Sequence, residues 1–139
     1  MAVDTAAIGT ELPATTLAVD PGRLRFFAKA IGDTVDDDLR VPPTFLFSIE
    51  LENPNAFGWV EQLGIDMRFV LHGEQSFTYH SPAHAGDVLT ATPRITDIYS
   101  KKGGALEFIV KETAVTRADG SLVADLKTVI VVRNPGAGK

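Results

Sequence analysis

Hydrophobic positions along the chain change their spacing once, near residue 67. Before that point they recur every three or four residues, and the first such stretch predicts a short amphipathic helix with an apolar face formed by Leu24, Phe27, Ala28 and Ile31. Asp20 can cap the free amides of this helix, and Pro21 suits its first position. Gly32 is typical of a residue that ends a helix.

A second apolar stretch covers residues 44–63 and predicts a helix that is buried on most sides. Asn53-Pro54 interrupts it, and proline inside a helix removes a hydrogen bond and clashes with the preceding turn. We therefore predict two consecutive helical pieces, the second capped by Asn53 and beginning at Pro54. The first dozen residues are predicted to be a poorly ordered lead-in, and residues 134–139 a frayed tail.

From Met67 onward the pattern alternates with a period of two. Strands are predicted from Met67 through the following residues and over residues 88–99, 106–116 and 121–133, with glycine-containing turns at 101–104 and 118–120. Helices followed by an antiparallel meander of about four strands indicate an α+β fold. Its sheet is expected to wrap around the apolar helix, because a lone sheet leaves one face wet.

Composition narrows the class of protein. The 139 residues are 45% hydrophobic, which predicts one domain over 1–139 with an ordered core of about residues 20–133. A formal charge of −5 argues against nucleic-acid and anionic-membrane partners. There is no cysteine, signal peptide or long apolar span, so a soluble cytoplasmic protein is expected.

The three histidines, His72, His80 and His84, lie close together in the sequence. Histidine is the side chain that titrates near neutral pH without a large shift of its pKa, so acid–base chemistry would start here or among the carboxylates. If Met67, Phe69 and Leu71 face the core, strict alternation puts His72 on the opposite face, but a bulge at Gly73 would change that phase. No metal site is expected: His80 and His84 are four residues apart but flank the turn around Pro82 and do not share a helix, and no convergent carboxylate pattern accompanies the histidines.

Several motifs together resemble the MaoC-like (R)-specific enoyl hydratases and dehydratases. Residues 26–33, FFAKAIGD, resemble the family pattern Y-A-x-A-x-G-D. The segments PPTF at 42–45, LHGEQ at 71–75 and AGDVL at 85–89 are more similar to the N-terminal, fatty-acid-synthase-type dehydratase branch, which includes non-catalytic halves and subunits. The resemblance covers about residues 20–133. It implies the hot-dog fold, a homodimer or a heterodimer with a second hot-dog chain, and acyl thioesters of coenzyme A or acyl carrier protein as substrates, with no other cofactor.

The chain departs from the family at its catalytic pair. Active members carry an aspartate followed five residues later by a histidine, but here Asp33 is followed by Asp38. A carboxylate cannot replace a neutral imidazole as base with the same proton affinity. The standard dyad is therefore incomplete.

His72 is the candidate base and Asp33 its candidate partner, although His72 could be a half-exposed strand residue and Asp33 could simply close its helix. Thr44, Phe45 and Gly73 are predicted to bind substrate. Thr44 and Phe45 carry the first free amides after two prolines and could hold the thioester oxygen, or merely start a helix. His80 and His84 are interpreted as solvated turn residues, and Asp87 as a residue that binds turn amides.

Three functions remain open from the sequence. The first is a hydratase/dehydratase that acts on enoyl or 3-hydroxyacyl thioesters with His72 and Asp33 as its pair. The second is a non-catalytic acyl-binding subunit whose partner chain supplies the full dyad. The third is thioesterase chemistry, which the same fold also hosts, because fold alone does not decide function.

Overall fold

The computed structural model describes residues 3–135; residues 136–139 of the predicted tail lie outside this range. The strands are β1 (Thr15–Ala18), β2 (Val70–Tyr79), β3 (Val88–Lys101), β4 (Leu106–Arg117) and β5 (Leu122–Arg133). The α-helices are α1 (Pro21–Ala30) and α2 (Gly58–Gln62), and 3-10 helices cover Thr5–Ala7, Phe45–Glu52, Met67–Phe69 and Lys102–Gly104. Within residues 3–135, no helix has both the length and the hydropathy to cross a membrane.

The five strands form one antiparallel sheet in the order β1-β3-β4-β5-β2. β3, β4 and β5 are a meander, as predicted, but β2 pairs with β5 and not with its sequence neighbour β3. The connection from β2 to β3 does not fold back as a hairpin. It is hydrogen-bonded to the loop at residues 39–41: Val41 N–H donates to Ala83 O at 2.8 Å, and Ala85 N–H donates to Leu39 O at 3.0 Å. The prediction of a simple four-stranded meander is therefore wrong in its strand order.

The prediction of a poorly ordered lead-in is also wrong for residues 3–12; residues 1 and 2 lie outside the described range. β1 pairs with β3 from Thr15 to Ala18, and the chain before it follows the same side of β3. Gly9 N–H donates to Ile95 O at 2.7 Å and Leu12 N–H donates to Pro93 O at 2.9 Å. This order comes from the backbone groups of β3, a partner about 80 residues away, so the local sequence pattern carries little sign of it.

Helix α1 forms as predicted. The carboxylate of Asp20 accepts a hydrogen bond from Arg23 N–H at 3.0 Å, Pro21 is the first helical residue, and Leu24 and Ala28 are buried. The apolar segment that follows is a 3-10 helix over Phe45–Glu52, with Phe45, Leu46 and Ile49 buried against the curled sheet.

The second helical piece does not begin at Pro54. Asn53 Oδ1 accepts a hydrogen bond from Asn55 N–H at 2.9 Å, which makes a local turn, and α2 begins only at Gly58. Asparagine followed by proline favours this turn because its side chain binds the backbone two residues on. Two helical pieces are therefore present, but their boundary is four residues later than predicted.

A partly buried ion pair joins the 3-10 helix Phe45–Glu52 to the sheet. Lys111 Nζ on β4 lies 2.9 Å from Glu50 Oε1, and Thr113 Oγ1 donates to Glu50 Oε2 at 3.3 Å. The Lys111 ammonium also lies 5.1 Å from the centre of the Trp59 ring. Lys111 is 7% exposed, so the pair is shielded from water and fixes the position of the 3-10 helix.

β2 contains one extra residue. His72 pairs with Ile130 and Glu74 with Val129, so Gly73 is a β-bulge without a partner. Leu71 is 52% exposed and Met67 is 40% exposed, so the condition under which alternation would turn His72 away from the core is not met. The 3-10 turn Met67–Phe69 precedes the strand and shifts its phase.

We expect Lys111→Met to lower the free energy of unfolding by about 3 kcal/mol, because it leaves the Glu50 carboxylate in a shielded position without its cation. Urea unfolding measures this change. The double variant Lys111→Met/Glu50→Met should regain most of the loss, and Lys127→Met, at an exposed position of β5, is the control. A loss for Lys127→Met equal to that for Lys111→Met would contradict this role of the pair.

We expect Gly73→Ala to destabilise the fold by about 1–2 kcal/mol. A Cβ at this position would lie 2.7 Å from Val131 Cγ2 and 3.2 Å from Val129 O, so the two strands would have to separate. Ser76→Ala, at an exposed site on the same strand, should be nearly neutral in the same thermal unfolding measurement. If the two variants behave alike, the bulge does not depend on glycine.

Candidate functional site

A groove of about 490 Å³ runs between β2 and the 3-10 helix Phe45–Glu52. We call it the edge groove; it is lined by Phe27, Thr44, Phe47, Ser48, Leu51, His72, Gln75 and Phe77. The exposed surface of the groove is mostly apolar and comes largely from the three phenylalanines and Leu51, while Thr44, Ser48, His72 and Gln75 contribute polar groups. Such a surface suits an extended apolar chain that carries one polar end.

Because of the bulge at Gly73, side chains from both halves of β2 face this groove. His72 faces it before the bulge, and Gln75 and Phe77 face it afterwards, although Phe77 is five positions after His72 and would lie on the opposite face of a regular strand. The bulge that the sequence left open is therefore present, and it places His72 on the same side as the apolar segment. The His72 ring centre lies 5.6 Å from that of Phe47, with the two planes tilted by 46°.

Asp33 lies at the end of α1. Its N–H donates to Ala28 O at 2.8 Å, while Gly32, with a φ of +74°, donates to Lys29 O at 3.2 Å. These two bonds form the Schellman motif that ends many helices. The Asp33 carboxylate accepts a hydrogen bond from Thr34 N–H at 2.8 Å. Asp33 therefore has the local closing role, and it is not among the residues that line the edge groove.

The structure brings Asp38 to a histidine that the sequence analysis treated as a turn residue. His84 Nε2 lies 3.5 Å from Asp38 Oδ2, and the Arg40 guanidinium lies 4.0 Å from the same carboxylate. The backbone of His84 donates to Asp87 Oδ2 at 2.9 Å, which confirms that Asp87 binds a turn amide. These contacts join the acidic loop to the turn before β3, and only the tertiary fold could reveal them.

The residues at the start of the 3-10 helix Phe45–Glu52 differ in what they offer a substrate. Phe45 N–H donates to Pro42 O at 3.0 Å, so it is not free, and the Phe45 ring packs edge-on against Phe27 with centres 5.4 Å apart. Thr44 lines the edge groove, and within residues 3–135 its N–H has no backbone acceptor. Of the two predicted oxyanion donors, Phe45 uses its N–H within the turn, and the role of Thr44 stays a prediction.

A second cavity of about 420 Å³ lies beyond the other end of β2. Tyr79 contributes to its wall and donates from its hydroxyl to Pro43 O at 2.7 Å; burial raises the pKa of Tyr79 to about 12. His80 also lines it, and His80 Nε2 lies 2.8 Å from Asp125 Oδ2 in an exposed pair. Tyr79 was missed by the sequence analysis, although alternation resumed after the bulge places it on the same face as Phe77.

The three histidines thus have three different neighbours, and the catalytic assignment of His72 and Asp33 stays a prediction. The structure places these two residues apart: one in the edge groove, the other at the end of α1. Among residues 3–135, no cluster of three or more histidine, aspartate or glutamate side chains could hold a metal ion.

Comparison with known proteins agrees with this geometry. Residues 6–126 match the family described as FAS1-like, dehydratase domain region. A UPF0336 protein of Streptomyces griseus is 36% identical over 148 residues, an alignment that covers 96% of this chain and 97% of that protein.

Two solved structures show the same fold. One chain of the HadBC (3R-hydroxyacyl-ACP dehydratase) complex of Mycobacterium tuberculosis superimposes with a TM-score of 0.71 at 22% identity, covering 89% of this chain and 96% of the other. A MaoC-like dehydratase of Phytophthora capsici gives a TM-score of 0.74 at 19% identity, covering 92% of this chain and 48% of the other. The curled sheet around the apolar segment is the hot-dog fold. The chain belongs to the FAS1-like dehydratase domain family.

Proposed function

We propose that this chain is the acyl-binding subunit of a two-chain hydratase/dehydratase. In this assembly it supplies the edge groove for the acyl part of a coenzyme A or carrier-protein thioester, and a second hot-dog chain supplies the Asp/His dyad. The observation that carries the proposal is the edge groove itself, whose surface is mostly apolar and whose lining includes neither carboxylate of the family's dyad positions: that of Asp33 accepts from Thr34 N–H, and that of Asp38 lies beside His84.

The position of β2 supports a partner on this side of the molecule. β2 is an outer strand of the sheet, and within residues 3–135 only its β5 side is paired. Leu71 on this strand and Leu51 at the rim of the groove are each about half exposed. An outer strand with free backbone groups and apolar neighbours is suited to pairing with a second chain. The HadBC neighbour, whose name describes a complex, has a related fold.

One observation favours a second candidate function, in which the chain is active by itself: His72 lies in the groove where an acyl chain would bind. A neutral His72 imidazole would take a proton from water as the water oxygen bonds to the β-carbon of an enoyl thioester. The resulting imidazolium would return a proton to the α-carbon, and the Thr44 amide would hold the thioester oxygen as it gains negative charge. Water is thereby added across the double bond without any other reactant.

The purified chain is expected to leave crotonyl-CoA unchanged when it is alone, because its own groove holds no oriented Asp/His pair. Hydration should begin when it is co-purified with a hot-dog chain that carries an intact Asp-x4-His. Loss of the conjugated enoyl absorbance measures the reaction, and free thiol is assayed in parallel. Full activity of the chain alone would exclude the two-chain proposal, and thiol release without enoyl consumption would indicate a thioesterase.

His72→Ala separates the two candidates. If the partner supplies the base, the variant should lower kcat of the assembly by less than about tenfold. If His72 is the base, kcat should fall by about 10²–10⁴-fold, the usual contribution of general acid–base catalysis. His80→Ala is the matched control, because its ring pairs with Asp125 in an exposed position outside the edge groove.

A further inference from the structure

The outward surface of α1 combines an exposed aromatic ring with positive charge. Phe26 is 77% exposed, the most exposed large hydrophobic residue of those that the structure describes. α1 carries Arg23, Arg25 and Lys29 and no acidic residue, in a chain whose formal charge is −5. Phe26 is three residues from both Arg23 and Lys29, a spacing that makes side chains neighbours on a helix.

Two of these three cations are available to a ligand. Arg23 Nη1 lies 2.7 Å from Glu52 Oε1, so its charge is balanced within the molecule. Arg25 and Lys29 are exposed, and neither has an ion-pair partner within residues 3–135. Phe26, Arg25 and Lys29 therefore form a small cationic surface with a flat apolar ring beside it, which we call the α1 surface.

The α1 surface is connected to the edge groove. A cavity of about 270 Å³ beside Phe26 is lined by Arg23, Phe26, Phe27, Ala30, Phe45, Ser48, Leu51 and Glu52. Phe27, Ser48 and Leu51 also line the edge groove, so the two hollows share a wall. A ligand with its acyl end in the edge groove can thus extend past Leu51 toward Phe26.

We propose, on the basis of the proposed function, that the α1 surface binds the phosphorylated adenosine end of coenzyme A. Phe26 stacks on the adenine, and Arg25 and Lys29 bind its phosphates, while the pantetheine arm follows the shared wall into the edge groove. Bases stack on exposed aromatic rings, and phosphate groups are bound by arginine and lysine side chains.

The charges around α1 favour a small anion over an acidic carrier protein. Asp20 lies at the start of the helix, Glu52 lies beside Arg23, and Asp33 and residues 36–38 follow the helix. Arg23 is balanced by Glu52, so the unpaired positive charge of α1 comes from two side chains, Arg25 and Lys29, which match the phosphates of one nucleotide better than a broad acidic protein surface. A nucleotide is small enough to contact only Phe26, Arg25 and Lys29.

The test compares crotonyl-CoA with crotonyl-pantetheine, which has the same acyl end and arm but no nucleotide. Isothermal titration calorimetry of the full chain gives both dissociation constants. Phe26→Ala should weaken crotonyl-CoA binding about tenfold, in the range of lost base stacking. Arg25→Glu/Lys29→Glu should weaken it at least as much, with a loss that shrinks at high salt. Neither variant should change crotonyl-pantetheine binding.

Lys127→Glu is the control, because it makes a like change of charge sign at an exposed position of β5 and should leave both dissociation constants unchanged. The nucleotide site would be overturned if the unaltered chain bound the two thioesters with equal affinity, or if the variants bound crotonyl-CoA normally. Neither result would contradict binding of the acyl chain in the edge groove. Failure of the unaltered chain to bind either thioester would overturn both the acyl groove and the nucleotide site.

Discussion

Side chains of a β-strand alternate between its two faces, so one unpaired residue decides which half of β2 faces the apolar segment. Without the bulge at Gly73, the face that carries His72 would continue with Glu74 and Ser76, and Phe77 would face outward. The bulge turns Phe77 inward while Glu74 stays exposed. Glycine suits this point, because a Cβ here would lie only 2.7 Å from a methyl group of Val131.

The opposite wall of the edge groove is held by a different kind of interaction. The 3-10 helix Phe45–Glu52 lies between two proline-containing turns, Pro42-Pro43 and Asn53-Pro54, which restrict where it can begin and end. Phe45, Leu46 and Ile49 bury it against the sheet, and the Glu50–Lys111 ion pair fixes its rotation. The groove thus lies between β2, whose side-chain directions depend on the bulge, and the 3-10 helix Phe45–Glu52, whose position depends on the ion pair.

The sequence predicted what depends on local chemistry. The cap of α1 at Asp20, its end at Gly32, and strands β3, β4 and β5 all follow from neighbouring residues. Features that depend on residues far apart in the sequence were not predicted. These are the pairing of the four-residue strand β1 with β3 and the position of β2 beside β5. The site divides in the same way. The sequence offered His72 as a candidate and a bulge at Gly73 as one possibility, but alternation alone did not decide between the two phases of the strand. The His84–Asp38 contact could not be predicted locally, because it needs two loops to meet.

A histidine acts well as a base when another group holds its ring in a productive orientation, as a carboxylate does in many active sites. His72 lacks such a group within residues 3–135: its nearest aromatic neighbour is Phe47, and its ring takes part in no side-chain hydrogen bond there. The carboxylates at the family's dyad positions have other contacts: that of Asp33 accepts from Thr34 N–H, and that of Asp38 lies beside His84. An orienting carboxylate would have to come across the free side of β2, which is where a second chain would pair. Catalysis by His72 would therefore depend on assembly with a second chain, because the imidazole lies on the strand whose outer edge is unpaired within residues 3–135.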